Sequence, residues 1–301
     1  MVIDDGLKAR LQIGSKVIGH VVQFFQREGF TELLPVMLAK STDPLGPDPG
    51  SSIIKTPEIE YLGQKFYTMN SMILHKQVAV RDLGKIFILS PNIRLEKGEK
   101  KATRRHLFEF TQADFEIPHA KRGDVMKLVE KFYSYLGRRL EGEKVLFDGL
   151  SVAPFRFKTP FKVYTTHELA EKYGADWEPA ASSDHAQPFW ALCHKREFYD
   201  KEDEAKRGHY LNYDLVYPLG YGEALSGAER EHDYQRIITR MGADRLSNEI
   251  YSAYLREAEK GFIPSAGAGF GIERLVRFLT RADHIGDVQL FRRVPGEEVA
   301  F

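Results

Sequence analysis

The spacing of apolar residues changes along the chain between the helical and the strand period. Helical spacing predicts helices over residues 7–28, ending at Gly29, and over 73–83, 124–140, 229–241, 247–260 and 272–279. Period-two alternation or short apolar runs predict strands at 86–94, 106–117, 189–193, 213–217 and 221–225. Small, polar or charged residues predict loops at 41–52, 96–104, 141–156 and 175–188. We expect one α+β domain over residues 1–301, a mostly antiparallel sheet flanked by helices.

Two of these strands form a predicted hairpin with a strongly charged turn. Period two places four side chains on one face of the second strand: Phe110, Gln112, Asp114 and Glu116. Arg94 ends the first strand, and Arg105 and His106 begin the second. Because the planar guanidinium suits phosphate oxygens and stays charged, these three residues are predicted to converge on a polyanion.

Composition narrows the possible compartments and partners. The chain has 43 Lys plus Arg and 43 Asp plus Glu, so the formal net charge is zero. Proteins that hold long nucleic acids usually carry a basic excess, so a nucleic acid such as tRNA is not expected as a partner. Cys193 is the single cysteine, and this indicates a reducing, cytoplasmic location. No signal peptide is evident, and no apolar run is long enough to span a bilayer.

A glycine-rich segment follows near the C-terminus, at residues 265–271, and leads into a predicted helix. Closely spaced glycines let a backbone or a flat ligand approach. The spacing is not that of a dinucleotide-binding G-x-G-x-x-G, and no Gly-Lys-Ser/Thr follows as in a P-loop. The segment by itself therefore leaves the ligand open.

Taken together, four ordered segments resemble class II aminoacyl-tRNA synthetases. Residues 87–116 resemble motif 2 and residues 267–276 resemble motif 3 of that family. Residues 29–35 resemble motif 1, which lies at the family's dimer interface, so a homodimer is expected. Residues 222–231 are similar to the segment that precedes motif 3 in the aspartyl and asparaginyl branch. The resemblance implies the class II catalytic fold.

The resemblance also implies an ATP site with magnesium. It gives Arg94 the α-phosphate and the reacting carboxylate, and Glu96 the adenine amino group. Phe110 and Arg274 match the pair that sandwiches the adenine ring, and Arg105 and His106 match the contacts to the outer phosphates. Arg94 and Arg274 are the expected catalytic residues. Glu223 and Ser226 match the Mg²⁺ ligands, with Asp214 as a further candidate.

On the amino-acid side the resemblance implies an aspartate site. Its residues would be Lys76, Gln112, Asp114 and Arg230, with Asp114 on the substrate amino group, Lys76 on a carboxylate and Arg230 selecting aspartate. The sequence departs from the aspartyl pattern at Ile73, at Glu229 and in the segment 48–52. These departures surround the amino acid and suggest that it is held differently.

No N-terminal anticodon-binding domain is expected, because the motif 1 helix begins near the first residue of the sequence. The whole chain resembles archaeal asparagine synthetases related to asparaginyl-tRNA synthetase, for example at residues 89–96, 196–200, 212–215, 264–269 and 291–296. That resemblance implies the conversion of aspartate, ATP and ammonia to asparagine, AMP and pyrophosphate through a β-aspartyl-adenylate, without tRNA.

Three alternatives stay open at this point. The chain could be an aspartyl- or asparaginyl-type core that charges tRNA or another acceptor. It could be a lysyl-type paralogue that modifies a protein, although Asp114 and Arg230 argue against a lysine site. It could also be a non-catalytic paralogue, which the complete set of ATP residues disfavours.

Overall fold

The chain folds around one eight-stranded sheet. The structure, a computed structural model, describes residues 3–45, 53–193 and 197–299. The sheet has the order β1-β6-β8-β13-β12-β11-β10-β9. Its strands are β1 (Thr31–Glu32), β6 (Ile86–Ile93), β8 (Glu109–Pro118), β9 (Lys162–Thr165), β10 (Phe189–Leu192), β11 (Asn212–Tyr217), β12 (Gly222–Glu229) and β13 (Ser265–Gly271). Only the outermost pairs, β1 with β6 and β9 with β10, are parallel, which agrees with the α+β prediction.

Two smaller sheets lie at the start of the chain, and neither was predicted. One consists of β2 (Leu38–Ala39), β4 (Glu58–Tyr61) and β5 (Gln64–Thr68), and the other pairs β3 (Ile53–Lys55) with β7 (Leu95–Glu96). In the second sheet Ile53 pairs with Glu96. The chain just after residue 52 therefore lies beside the point where the first strand of the predicted hairpin ends and its turn begins. The predicted loop over 48–52 lies outside the described residues.

Nine helices cover the sheet in the described ranges. They are α1 (Asp5–Arg27), α2 (Ile73–Leu83), α3 (Arg122–Glu141), α4 (Lys144–Asp148), α5 (Thr166–Tyr173), α6 (Trp177–Asp184), α7 (Tyr234–Ala243), α8 (Ser252–Glu259) and α9 (Ile272–Thr280). Short 3₁₀ helices occur at Gly98–Thr103 and Ile285–Val288. No helix of the described chain is long and apolar enough to cross a membrane.

The back of the sheet carries the main hydrophobic core, against α1, α3 and α9. α1 begins at an Asp4 side chain that accepts from the Leu7 amide, and its apolar stripe ends in Phe24 and Phe25. Phe25 stacks on Phe87 with ring centroids 5.2 Å apart, and Phe115 packs on the same ring. Burial of these aromatic rings supplies most of the hydrophobic stabilisation on this side.

The front of the sheet is polar where the back is apolar, because strand residues alternate. Paired residues share a face, so the register places Asp114 of β8 beside Gly269 of β13 and Ser226 of β12. Gly267 and Gly269 leave room for their neighbours: a Cβ on Gly269 would lie 2.7 Å from Asp114 Oδ1, and one on Gly267 would overlap the Glu116 carboxylate. The predicted polar face of β8 is confirmed.

A β-bulge in β12 alters this alternation. Leu215 pairs with Leu225, but the next residue, Val216, pairs with Glu223, so Ala224 is the extra residue. Because of this shift, Glu223 and Ser226 point to the same face although they are three residues apart. Asp214, opposite Ser226, points to that face as well.

Five local predictions were wrong, and one of them is the helix predicted over 247–260, which begins at Ser252 instead. The predicted loop 175–188 contains α6, and the predicted loop 141–156 contains α4. The charged loop 96–104 includes a 3₁₀ helix. The predicted helix 229–241 begins at Tyr234 instead, since Glu229 completes β12 and the Asp233 side chain caps the helix by accepting from the Arg236 amide at 2.9 Å.

Candidate active site

A cavity of about 830 Å³ opens on the front of the sheet. The two ends of the front face are covered, one by α2, α7 and α8 and the other by α5 and α6. The cavity lies between them. Nine of the predicted site residues line it: Arg94, Glu96, Arg105, His106, Phe110, Gln112, Asp214, Glu223 and Arg274. The fold therefore brings together residues from β7, β8, β11, β12, α9 and the segments next to β6 and β8, from Arg94 to Arg274 along the chain.

Arg94 is fixed at the floor of this cavity. Its Nε donates to the Asn70 carbonyl at 3.1 Å, and its guanidinium carbon lies 5.2 Å from the centre of the Phe110 ring. A cation over an aromatic face is attracted by the ring quadrupole. The side chain is thus held with donors remaining for a ligand, beside a ring on which a flat group could stack.

At the opposite wall, two arginines pair with carboxylates. Arg274 NH1 lies 3.3 Å from Glu223 Oε1, and Arg274 Nε donates to the Arg105 carbonyl at 3.3 Å. Arg105 itself forms an ion pair with Glu178 of α6. Burial and the neighbouring guanidinium groups of Arg274 and Arg105 lower the pKa of His106 to about 3, so its imidazole is neutral at pH 7.

The three candidate metal ligands share the front face of the sheet, but only Asp214 and Glu223 line the cavity. Asp214, Glu223 and Ser226 reach that face through the register and the bulge in β12. Within the described residues, no group of three or more His, Cys, Asp or Glu side chains is arranged to enclose a metal by itself. Two carboxylates and a hydroxyl suit Mg²⁺, which takes few protein oxygens and fills its remaining positions with phosphate oxygens and water.

Deeper in the sheet, beyond the cavity wall, the predicted amino-acid residues form a buried charge network. Lys76 Nζ donates to Asp114 Oδ1 at 2.8 Å and to the Ala268 carbonyl at 3.1 Å. Arg230 Nε donates to Glu116 Oε1 at 3.1 Å, and Arg230 NH1 lies 3.5 Å from Asp200 Oδ1. Lys76 and Glu116 are 3.8 Å apart, which links the two pairs.

Neighbouring groups fix this network in place. Glu116 also accepts from Ser265 Oγ at 3.0 Å, and Arg230 NH2 donates to the Gly267 carbonyl at 3.1 Å. Burial alone would lower the pKa of Arg230, but the Glu116 and Asp200 carboxylates outweigh it and raise the pKa. Arg230 is therefore a permanent cation whose donors are largely taken by protein acceptors.

Gln112 and Asp43 lie between the buried network and the cavity. Gln112 Oε1 accepts from Asn92 Nδ2 at 2.7 Å, and Asn92 in turn accepts from Ser90. Asp43 is buried and accepts from Tyr199 at 3.0 Å. Burial raises the pKa of Asp43, and the nearby Arg94 guanidinium opposes this shift.

Sequence reasoning missed four polar residues of this region: Asp43, Glu116, Glu178 and Asp200. Glu116 had a signal, because it continues the period-two face of Phe110, Gln112 and Asp114. Glu178 had none, because its segment was predicted to be a loop. The expected departure at 48–52 and Arg196 of the segment 196–200 both lie outside the described residues.

Comparison with known proteins identifies the family. The family model for tRNA synthetases class II (D, K and N) matches residues 2–295. The chain belongs to this family. An asparagine–tRNA ligase from Pyrococcus abyssi is 29% identical over 310 residues, covering 96% of this chain and 69% of that protein. One from Thermococcus gammatolerans is 30% identical over 304 residues, covering 93% of this chain and 68% of that protein.

Structural comparison agrees with the family. The crystal structure of asparaginyl-tRNA synthetase from Pyrococcus horikoshii complexed with asparaginyl-adenylate matches with a TM-score of 0.85 at 27% identity, over 98% of this chain and 70% of that one. The predicted class II catalytic fold is thereby confirmed, and the family is one of ligases.

Two expectations are corrected by these relatives. The asparagine synthetase prediction, with aspartate and ammonia as substrates, is wrong, because the similar proteins are asparagine–tRNA ligases over nearly the whole chain. The expectation that tRNA is not a partner is wrong for the same reason. The zero net charge misled, since a total charge does not describe the local surface where a nucleic acid binds.

Proposed function

We propose that this chain activates asparagine with ATP and transfers it to tRNA. The amino acid's α-carboxylate would attack the α-phosphate, giving asparaginyl-adenylate and pyrophosphate, and a terminal tRNA hydroxyl would then displace AMP. Membership of the D, K and N family supports the reaction type. The asparaginyl relatives, one of them complexed with asparaginyl-adenylate, support the amino acid.

The observation that carries the choice of amino acid is the occupied state of Arg230. Its guanidinium is already bound by Glu116 and Asp200, which disfavours a free bidentate contact with a substrate carboxylate. The described pairs of the network contain two cations, Lys76 and Arg230, and three carboxylates, Asp114, Glu116 and Asp200. The Asp114 carboxylate suits a substrate ammonium, and the bound state of Arg230 suits an uncharged amide better than a second substrate carboxylate.

For the first step we assign the ATP residues as the motifs imply. Arg94 would offset the charge that develops on the α-phosphate, and Phe110 would stack on the adenine together with Arg274. Glu96 would accept from the adenine amino group, while Arg105 and the neutral His106 would contact the outer phosphates. Asp214, Glu223 and Ser226 would hold Mg²⁺, which neutralises phosphate charge when bound.

For the amino acid, Asp114 would accept from the substrate ammonium group and Gln112 would face the bound side chain from the cavity wall. Lys76 and Arg230 would fix the Asp114 and Glu116 carboxylates in position, as their present bonds indicate. This arrangement places the acceptors of the network on buried, well-packed strands. Specificity for a neutral amide would then depend on the balance of charge in the network.

The experiment has two stages. Amino-acid-dependent exchange of labelled pyrophosphate into ATP is measured with asparagine, aspartate and lysine, each in the presence of Mg²⁺. We expect exchange with asparagine well above that with the other two. Exchange with aspartate alone would overturn the amino-acid assignment, and no exchange with any of the three would overturn the proposed activation.

The second stage tests the acceptor. Labelled asparagine is incubated with enzyme, ATP and unfractionated tRNA, and acid-precipitable label is counted. tRNA whose terminal ribose has been oxidised with periodate is the matched control, since it keeps the fold but lacks the accepting hydroxyl. Label on the intact tRNA alone is the expected result. Equal label on both, or none on either, would contradict transfer to tRNA.

We also predict a homodimer. The segment after β1 exposes a run of apolar side chains, of which Leu34 is 90% exposed and Met37 44% exposed. Exposed apolar runs of this kind mark interaction surfaces, and twofold dimers are the commonest oligomers. Light scattering at micromolar concentration should report about twice the 34.5 kDa chain mass. A fully active monomer would contradict this interface.

A further inference from the structure

Helix α6 closes one wall of the cavity, and it is anchored at its middle. Ser182, which is fully buried, donates to the Tyr217 carbonyl at 2.7 Å and accepts from the Gly222 amide at 3.0 Å. Ala181 packs beside it in a small apolar cluster with Phe189 and Val216. The start of the helix, with Trp177 and Glu178, lines the cavity.

The Glu178 carboxylate lies against the arginine that is expected to receive the outer phosphates. It forms an ion pair with Arg105 and accepts from the Glu223 amide at 3.1 Å. Gly222, at φ +74°, makes the approach possible, because a Cβ there would lie 2.8 Å from the Glu178 carboxylate oxygen and would overlap the Arg105 guanidinium. The Glu178 carboxylate is therefore held by the Arg105 cation and the Glu223 amide, and Gly222 leaves the space that it occupies.

This arrangement has the chemistry of an anion site filled by a side chain. A guanidinium together with a backbone N–H is a common way to bind one phosphate group. Both groups are directed at the single Glu178 oxygen. A phosphate placed on the same donors would face a like charge, and two anions a few ångströms apart repel strongly in a partly buried site.

We propose that Glu178 is an internal competitor for the outer phosphates of the nucleotide, so that a triphosphate must displace it from Arg105. This inference rests on the proposed ATP site. Displacement moves only the first turn of α6, because the Ser182 anchor lies one turn further on. Glu178 thereby determines nucleotide affinity through the phosphates and has no effect on the adenosine part.

The test compares wild-type enzyme with Glu178→Gln, which keeps the shape and removes the charge. ATP and adenosine are titrated calorimetrically, and fluorescence of Trp177, next to Glu178, is recorded in parallel. We expect ATP to bind about three- to tenfold more tightly to the variant, the range for relief of one like charge at a partly exposed site. Adenosine affinity should not change.

Two further variants make the result specific. Asp184→Asn removes the same charge at the far end of α6, where Asp184 is exposed and pairs with Lys172, and should leave ATP affinity unchanged. Arg105→Gln should weaken ATP binding, and adding Glu178→Gln to it should tighten binding much less than in the wild-type background, because the guanidinium for which the two anions compete has been removed.

The outcomes separate the two proposals. Unchanged or weaker ATP binding by Glu178→Gln, beside normal wild-type binding, overturns the competitor role alone. In particular, weakening that requires Mg²⁺ would make Glu178 a metal ligand. If wild-type enzyme does not bind ATP at all, both this inference and the proposed function are contradicted.

Discussion

The two ends of the proposed active site, one assigned to the nucleotide and one to the amino acid, are built from the same kinds of residue but in different surroundings. At the nucleotide end, the paired side chains of Arg105 and Glu178 are 28% and 26% exposed. At the amino-acid end, Arg230 and Glu116 are 4% and 0% exposed. Exposed pairs are screened by water and exchange partners at little cost, whereas buried ones cannot be broken without leaving a charge uncompensated.

The difference in exposure predicts different roles for the two pairs, ligand binding for Arg105 and Glu178 and stability of the fold for Arg230 and Glu116. Charges at the nucleotide end can release one partner for another as ligands arrive. Charges at the amino-acid end are part of the fold, and in the proposed function their positions would determine which substrate charge is tolerated. Variants at the two ends should therefore affect different measurements, and that expectation can be tested.

The largest effect is expected at the buried end, on stability. Replacing Arg230 by Met removes a buried cation that pairs with both Glu116 and Asp200, so the free energy of unfolding should fall by about 3–5 kcal/mol. Urea unfolding followed by circular dichroism measures the loss. Arg236→Met is the matched control, because that arginine forms an exposed pair with Glu204 that water screens, so the substitution should leave stability nearly unchanged. Similar losses for both variants would show that burial does not distinguish the two ends.

The next effect is expected at the open end, on catalysis alone. Arg94→Ala removes the cation proposed to face the α-phosphate, and such a contact contributes on the order of 3–4 kcal/mol at the transition state. Pyrophosphate exchange should fall by about two to three orders of magnitude, with the unfolding midpoint nearly unchanged. Arg81→Ala is the control, since Arg81 pairs with Glu257 away from the cavity. Near-normal exchange in Arg94→Ala would remove the residue from the proposed mechanism.

The smallest effect concerns Glu273, a cavity residue at the start of α9 that accepts twice from the Thr111 amide. Burial raises its pKa from 4.5 to about 7. The folded protein therefore holds a proton that the unfolded chain has released, so stability falls as pH rises from about 4.5 to 7. Relative to Glu273→Gln, the wild type should lose about 1–3 kcal/mol between pH 4.5 and 8.

Urea unfolding of both proteins at several pH values measures this difference. The glutamine keeps an oxygen acceptor for Thr111, so the pH-independent part of the comparison is small. Parallel curves for the two proteins across this range would mean that Glu273 is hydrated like a surface carboxylate. The cavity would then be more hydrated than proposed, and it would differ more strongly from the buried end at Arg230 and Glu116.

Elements with a strong internal pattern could be predicted from the sequence. Helix α2 occupies the predicted range, 73–83, and the polar face of β8 follows from alternation alone. Motif 2 and motif 3 residues share one cavity because β8 and β13 are neighbours in the sheet. The residues assigned to ATP lie in or next to these patterned elements, and the motifs could therefore predict that they line one cavity.

Features that depend on distant contacts could not be predicted. The segment 175–188 lacks a clear period, and α6 is stabilised by Ser182 binding to the end of β11 and the start of β12. The occupied state of Arg230 depends on Glu116 and Asp200, which reach it from 114 and 30 positions away. No local pattern carries such a contact, so the resemblance to aspartate-binding enzymes suggested a free arginine in its place.

The extra residue in β12 also changes what a sequence comparison of this strand can mean. Before Ala224 the residues of one parity face the cavity, and after it those of the other parity do. Glu223 and Ser226 are therefore matched by a spacing of three, which an uninterrupted strand would direct to opposite sides. The spacing of three residues thus depends on the bulge, and a related chain can keep both candidate metal ligands on the cavity face only if it also keeps the extra residue.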